Sequence, residues 1–357
     1  LNPAAVHAAI REVTRTQISP IVTDIDEGLY PAEAMRALGE AGAYAMHTAP
    51  HAAADLLAAI EGTAVVSETC LSSGFMSWCQ NTLAWYVANS DNAALKERFL
   101  EPTRSGEQLG GTGLSNPMKT FFGIERMKLK GRKVEGGYIV RGALPWVSNL
   151  GPDHLFGTIF EDEAGQPVMF LADCAAESVT LKPCEPFLAM DGTGTYAIQF
   201  RDAFIGDDMI LADPAGPYIR RIRAGFILLQ AGMAIGVIRD CVAMMNEVRV
   251  QLGHVNKYLD VQPEHIADQL AEIEGEVAAL CATPYETDPA YWRRVVAARL
   301  VAGDASVAAA HAAMLHCGAR GYVKAHRCQR RLREAYFVAI VTPATKQLRK
   351  MLAEMPG

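Results

Sequence analysis

The sequence predicts a mainly α fold with a central β domain, in three blocks. These are an N-terminal helical domain (1–108), a small antiparallel β-barrel or sandwich (109–212) and a C-terminal four-helix bundle (213–357). Three observations predict this order. Between Gly110 and Leu211 the apolar residues alternate, and Gly, Pro and Asp cut β-branched and aromatic runs at short intervals. That is the pattern of short antiparallel strands. On both sides of the stretch, apolar residues recur at helical spacing instead. The last third holds four long periodic segments with short connections, as an up-and-down bundle does.

Each block can be read in order. Ala4–Arg15 follows Asn2-Pro3, a cap residue and a first-turn proline. Pro31–Ala41 also starts at a proline and ends at Gly42; Ala52–Glu68, Ser72–Val87 and Asn92–Phe99 complete the block. The fourth of these carries Phe75, Met76, Trp78, Leu83, Trp85 and Tyr86, so it belongs at the centre of its bundle. Strands are expected at 138–140, 145–149, 155–160, 168–171 and 196–200. Helices are then expected at 218–252, 263–282, 289–318 and 326–340, with a last one near 345–354 after Pro343. Small residues at Ala231, Gly232, Ala234 and Gly236, and at Ala305, Ala308, Ala309 and Ala312, read as close-packed core.

Composition narrows the function. Half of the 357 residues are hydrophobic and 20% are charged, which suits a large core. A net charge of -7 argues against nucleic acid as a partner. No uninterrupted apolar run reaches the roughly 18 residues of a membrane span, and Phe226–Val237 reads as a buried helix. Eight cysteines lie scattered without C-x-x-C spacing, so no metal site is expected. Residues 1–22 lack the pattern of an export signal. The expectation is a cytoplasmic protein with reduced thiols.

Several motifs occur in a fixed order. They are Thr112-Gly113-Leu114-Ser115-Asn116-Pro117, Gly142-Ala143-Leu144-Pro145-Trp146-Val147-Ser148-Asn149 and Met190-Asp191-Gly192-Thr193-Gly194-Thr195. Phe204–Leu211 and His316-Cys317-Gly318-Ala319-Arg320-Gly321-Tyr322 follow. Together with the three-block layout, this set resembles the acyl-CoA dehydrogenase family of flavoproteins. The resemblance implies FAD, whose redox chemistry the protein orients. It implies cofactor contacts from Thr112, Leu114, Ser115, Trp146, Ser148, Arg249, Gly318, Gly321, Thr345 and Gln347. Trp146 would pack on the flavin ring, Ser148 would reach the N5 region and Arg249 would act across a subunit interface. A homo-oligomer, dimer or tetramer, follows from the same resemblance.

The pattern breaks at the catalytic base. Relatives use a carboxylate to remove a proton α to a thioester carbonyl. Depending on register, the corresponding position here holds Thr342 or Pro343. The alternative site on the first bundle helix holds Phe226, with Ile227 where an arginine is usual and Arg223 one turn earlier. The catalytic residue is therefore unassigned, while Arg223, Phe226 and Thr342 are expected to meet the substrate. A threonine cannot replace a carboxylate base unaided at neutral pH. Three readings stay open. One is an FAD-dependent oxidoreductase acting on an acyl-CoA or related substrate, and the second a flavin monooxygenase of the same fold using reduced flavin and oxygen. The third is a catalytically degenerate flavin-binding protein.

Overall fold

The computed structural model describes residues 2–48 and 55–355. Helix α1 (Pro3–Val13) is capped by Asn2, whose side chain accepts from the Ala4 amide. It runs on through a π-turn at Thr14–Ile18 and a 3-10 turn at Ser19–Ile21, neither of which the periodicity revealed. Helices α2 (Val22–Asp26), α3 (Ala32–Glu40), α4 (Leu56–Ser67), α5 (Leu71–Asn89) and α6 (Ala93–Ser105) complete the first block. Asp55 and Asn92 cap α4 and α6. The start expected for α4, at Ala52, lies outside the described residues. Every residue of α5 from Leu71 to Val87 is buried, so it is central, as its bulky residues suggested.

The middle block holds β1 (Gly110–Thr112), α7 (Ser115–Phe121), β2 (Lys130–Val134), β3 (Gly137–Val147), β4 (Leu155–Glu161), β5 (Pro167–Asp173), β6 (Val179–Pro183), β7 (Tyr196–Gly206) and β8 (Ile210–Ala212). They form one sheet in the order β6-β7-β3-β2-β4-β5-β8, with β1 beside β4. Most pairs are antiparallel, while β1–β4 and β2–β4 are parallel. Phe156, Phe160, Phe170 and Phe200 fill a core of its own beneath the sheet. Helix α7 corrects the all-β expectation for this stretch. Its Pro117 sits in the first turn, where a missing amide hydrogen breaks no helical bond.

The third block comprises α8 (Gly216–Leu229), α9 (Ala231–Asn256), α10 (Pro263–Cys281), α11 (Pro289–Cys317), α12 (Arg327–Ile340) and α13 (Thr345–Glu354). The single helix expected over 218–252 is two, meeting at Gln230. A second correction concerns hydropathy. Gly216–Asn256 and Pro289–Arg320 are each long and apolar enough to cross a membrane by composition, yet 78% of the first window is buried inside the fold. These are core helices. One continuous core joins α4 and α5 to the C-terminal helices, so the first and third blocks pack as one body around the middle sheet. Buried Arg331 seals that junction, donating to Asp240 at 2.6 Å and to Glu334 at 2.7 Å. Glu334 in turn accepts the Leu71 amide at the start of α5.

Candidate functional site

A cavity of about 830 Å³ opens where α5, the end of β3, the 187–195 segment, α8 and the α12–α13 turn converge. That volume lies within the range of small-molecule and cofactor sites. Trp146 stands in its wall. Strand β3 shifts register against β7 twice, between Val140 and Gly142 and between Leu144 and Val147. Such bulges re-aim side chains. Gly142 has φ +131°, and a Cβ there would lie 2.2 Å from the Lys128 carbonyl oxygen. Within the second shift, Trp146 is 55% exposed, whereas Trp78, Trp85 and Trp292 are buried.

Hydroxyl groups line the polar side. Strand β1 crosses Ser148 closely, since a Cβ on Gly111 would come within 2.1 Å of the Ser148 carbonyl oxygen. Thr112 Oγ1 lies 2.8 Å from Tyr86 Oη on α5. Thr158 Oγ1 donates to the Gly113 carbonyl and steadies the approach to Leu114 and Ser115. Ser148 Oγ lies 2.7 Å from Thr195 Oγ1, which lies 2.8 Å from Thr193 Oγ1. Thr193 Oγ1 donates to the Met190 carbonyl at 2.7 Å. Asn149, with φ +62°, fastens this corner: its amide donates to Thr193 and its Nδ2 to Gly110.

The helical side contributes Thr342. Its Oγ1 lies 3.0 Å from Ser115 Oγ, and its carbonyl accepts from Gln230 Nε2 at 2.9 Å. Gln230 accepts from buried Arg299 Nε at 2.6 Å. Burial lowers the Arg299 pKa to about 10. Gln347 accepts the Ala344 amide, and Thr345 donates to the Ala339 carbonyl, so both belong to the α13 start that faces the cavity.

The lining charges are Lys119, Arg333 and Lys346. Lys119 pairs with Glu125 at 3.1 Å and Arg333 with Asp26 at 2.5 Å. Among the described residues no Asp, Glu, His or Cys lines the cavity. Phe226 meets the Trp78 ring edge at 5.4 Å and is 4% exposed. Asp213, the carboxylate at the β-to-helix junction, accepts from Tyr138 Oη at 2.6 Å and faces a different pocket.

The structure thus brings Thr112, Leu114, Ser115, Trp146, Ser148, Phe226, Thr342, Thr345 and Gln347 to one cavity. It places four expected residues elsewhere. Arg223 is corrected as a cavity residue: its guanidinium lies over the Trp292 ring, 4.2 Å from the centroid, where cation–π attraction holds it. Arg249 forms a bidentate pair with Glu264 on the surface, at 2.6 and 2.8 Å. Gly318 and Gly321 end α11 outside this cavity. Sequence reasoning missed the aromatic wall of Phe75, Trp78 and Phe337 and the relay members Thr193 and Thr195 as site residues. The bulky run on α5 was a signal, but it reads equally as packing.

Residues 3–107 match the acyl-CoA dehydrogenase N-terminal domain. Over 361 residues the chain is 24% identical to human mitochondrial short-chain specific acyl-CoA dehydrogenase, covering 96% of this chain and 87% of that protein. The chain is similar to acyl-CoA dehydrogenases along nearly its whole length. Arabidopsis thaliana mitochondrial isovaleryl-CoA dehydrogenase is 25% identical over 74% of the chain and 67% of its own length. The fold is shared with butyryl-CoA dehydrogenase from Megasphaera elsdenii, with a TM-score of 0.84 at 18% identity over 98% and 97% of the two chains.

Proposed function

We propose that the chain is an FAD-dependent oxidoreductase acting on an acyl-CoA or related substrate in the 830 Å³ cavity. The observation that carries this reading is an exposed Trp146 beside Ser148 in an otherwise aromatic cavity. A flat ring system fits there: the indole offers a face, and Thr112, Ser115 and Ser148 offer hydroxyls along one edge. The start of α13, with Thr345 and Gln347, faces the same space. The diphosphate partners expected from the resemblance, Arg249, Gly318 and Gly321, would come from a second copy of the chain in a homo-oligomer. Bound FAD would supply the hydride acceptor. The chain's own side chains do the rest. Phe75, Trp78, Phe226 and Phe337 exclude water and enclose an apolar acyl group, and Lys346, the lining cation without a carboxylate partner among the described residues, favours an anionic group. The scattered, unpaired cysteines support a cytoplasmic setting.

One observation favours a second reading. A cavity without a carboxylate, histidine or thiol holds no ordinary proton acceptor for α-proton abstraction. A flavin monooxygenase of this fold, supplied with reduced flavin and oxygen, needs none. Anaerobic mixing of the flavin-loaded protein with a panel of acyl-CoAs separates the two. Bleaching of the flavin band supports the first reading. No bleaching, with an oxygen-dependent product after external reduction, supports the second. Failure to take up FAD at all sinks both.

A further inference from the structure

The hydroxyl row at Ser148 has a direction. A hydroxyl carries one hydrogen and two lone pairs. Thr193 Oγ1, on a buried residue, sits 2.7 Å from the Met190 carbonyl, which can only accept, so its hydrogen points there. Thr193 must then accept from Thr195, 2.8 Å away, and Thr195 must accept from Ser148, 2.7 Å away. Reversing the row would set two lone-pair-bearing oxygens against each other at 2.7 Å, with no hydrogen between Thr193 and Met190. Among the described residues Ser148 Oγ has no other hydrogen-bond partner. Its hydrogen is thereby committed to Thr195, and only lone pairs are left toward the cavity.

An acceptor selects what it meets. The oxidised isoalloxazine ring has one N–H, at N3, and otherwise presents bare nitrogens and carbonyl oxygens along its polar edge. Two-electron reduction adds an N–H at N5. Opposite an oxidised N5, Ser148 sets lone pair against lone pair; opposite the reduced ring it receives a hydrogen bond. We infer that the Ser148–Thr195–Thr193–Met190 relay makes this cavity a site that prefers reduced flavin over oxidised flavin, with Thr193 and Thr195 as positioning residues. The inference rests on the reading that a flavin ring lies against Trp146 with its N5 edge toward Ser148, the orientation the sequence resemblance implies. It goes beyond that reading by naming the redox state the chain selects and the residues that select it.

The test is the dissociation constant of oxidised FAD and of dithionite-reduced FAD, measured anaerobically by titration of the flavin-free full-length protein. The expected wild-type result is reduced FAD bound roughly tenfold more tightly, the scale of one hydrogen bond gained in place of one repulsion. For a two-electron couple, a tenfold ratio is a rise of about 30 mV in the midpoint potential of the bound flavin, an independent readout. Thr193→Val removes the terminal acceptor of the row. Thr195 can then donate to Ser148 and free its hydrogen, and the ratio should fall several-fold through tighter binding of the oxidised form. Thr195→Val, which also frees Ser148, should do the same and guards against misfolding of the first variant. Equal or tighter binding of oxidised FAD by the wild type overturns the inference while leaving the flavin reading intact. So does an unchanged ratio in both valine variants. Binding of neither form overturns the flavin reading and the inference with it.

Discussion

The hydroxyls of Ser115 and Thr342 meet at 3.0 Å, one from the first turn after β1 and the other from the turn between the last two helices. This contact closes the cavity between the middle block and the helical body. Thr342 is also the position at which one register of the sequence resemblance leads to the expectation of a carboxylate. Thr342 is held from behind by Gln230 and Arg299, so its position is built rather than incidental.

Placing a carboxylate there should therefore restore a missing capability. Wild-type protein is expected to show little or no flavin reduction by butyryl- or octanoyl-CoA. Thr342→Glu, in a half-buried position facing the cavity, should raise the anaerobic reduction rate, since a positioned general base contributes about 10² to 10⁴-fold. Phe226→Glu should not be equivalent. Phe226 is packed against Trp78, and an unpaired carboxylate there costs several kcal/mol before it does any chemistry. Stopped-flow bleaching rates and melting temperatures of both variants check the contrast. Rapid bleaching of the wild type would defeat it.

Trp146 separates cofactor binding from stability. Because its indole is largely exposed, Trp146→Ala should leave the melting temperature of the flavin-free protein within about 2 °C of wild type. It should weaken FAD binding about three- to tenfold, the scale of one aromatic contact. Fluorescence titration measures the second effect and calorimetry the first. Unchanged affinity would place the ring away from the indole.

Much of this organisation was legible in the chain. Alternation and turn residues located the sheet to within a few residues of Gly110 and Ala212, because strand period and helix period differ. The short helix α7 was hidden, since seven residues with a proline give too little periodicity to register. The break at Gln230 was hidden for the opposite reason: residues 224–238 on both sides of it are all buried and, apart from Gln230, carry no polar side chain, so no face shifts. At the site, Trp146 and Ser148 could be named from a motif. Their relation to Thr193, 45 positions away from Ser148 in the chain, depends on the Asn149 amide donating to the Thr193 carbonyl, a long-range bond that no local pattern encodes. Arg223 shows the converse. Its spacing from Phe226 suggested the cavity, but Trp292, from a distant helix, captures it.

Arg249 tests whether the site is completed by a second copy. Among the described residues it is engaged only by Glu264, on a helix end that also exposes Val250 and His254. Light scattering is expected to give two or four times the 38.6 kDa chain mass. Arg249→Ala should keep that mass yet lower flavin retention on gel filtration, because the cofactor loses a cation while the apolar helix faces remain. A monodisperse monomer that retains a full complement of flavin would rule this arrangement out.

His47 should give the fold an acid sensitivity of its own. The imidazole is fully enclosed beside Trp85, with Nε2 2.8 Å from the Asn81 carbonyl. Burial pushes its pKa down to about 4, against the smaller opposing pull of that carbonyl. In the unfolded chain the value returns to about 6.5. Between those limits the unfolded state binds a proton that the folded state refuses. Stability is therefore complete above about pH 6.5, falls as the pH drops toward 4, and loses about 3 kcal/mol over that window. His154 is lowered by burial as well and adds a slope of the same sign, so the wild-type curve alone does not isolate His47. His47→Gln keeps an N–H donor for the Asn81 carbonyl but cannot titrate. Urea unfolding of both proteins from pH 7.5 to 4 should show the difference in their unfolding free energies shrinking by about 3 kcal/mol as the pH falls. A difference that stays constant with pH would mean that His47 is already open to solvent and protons in the folded chain.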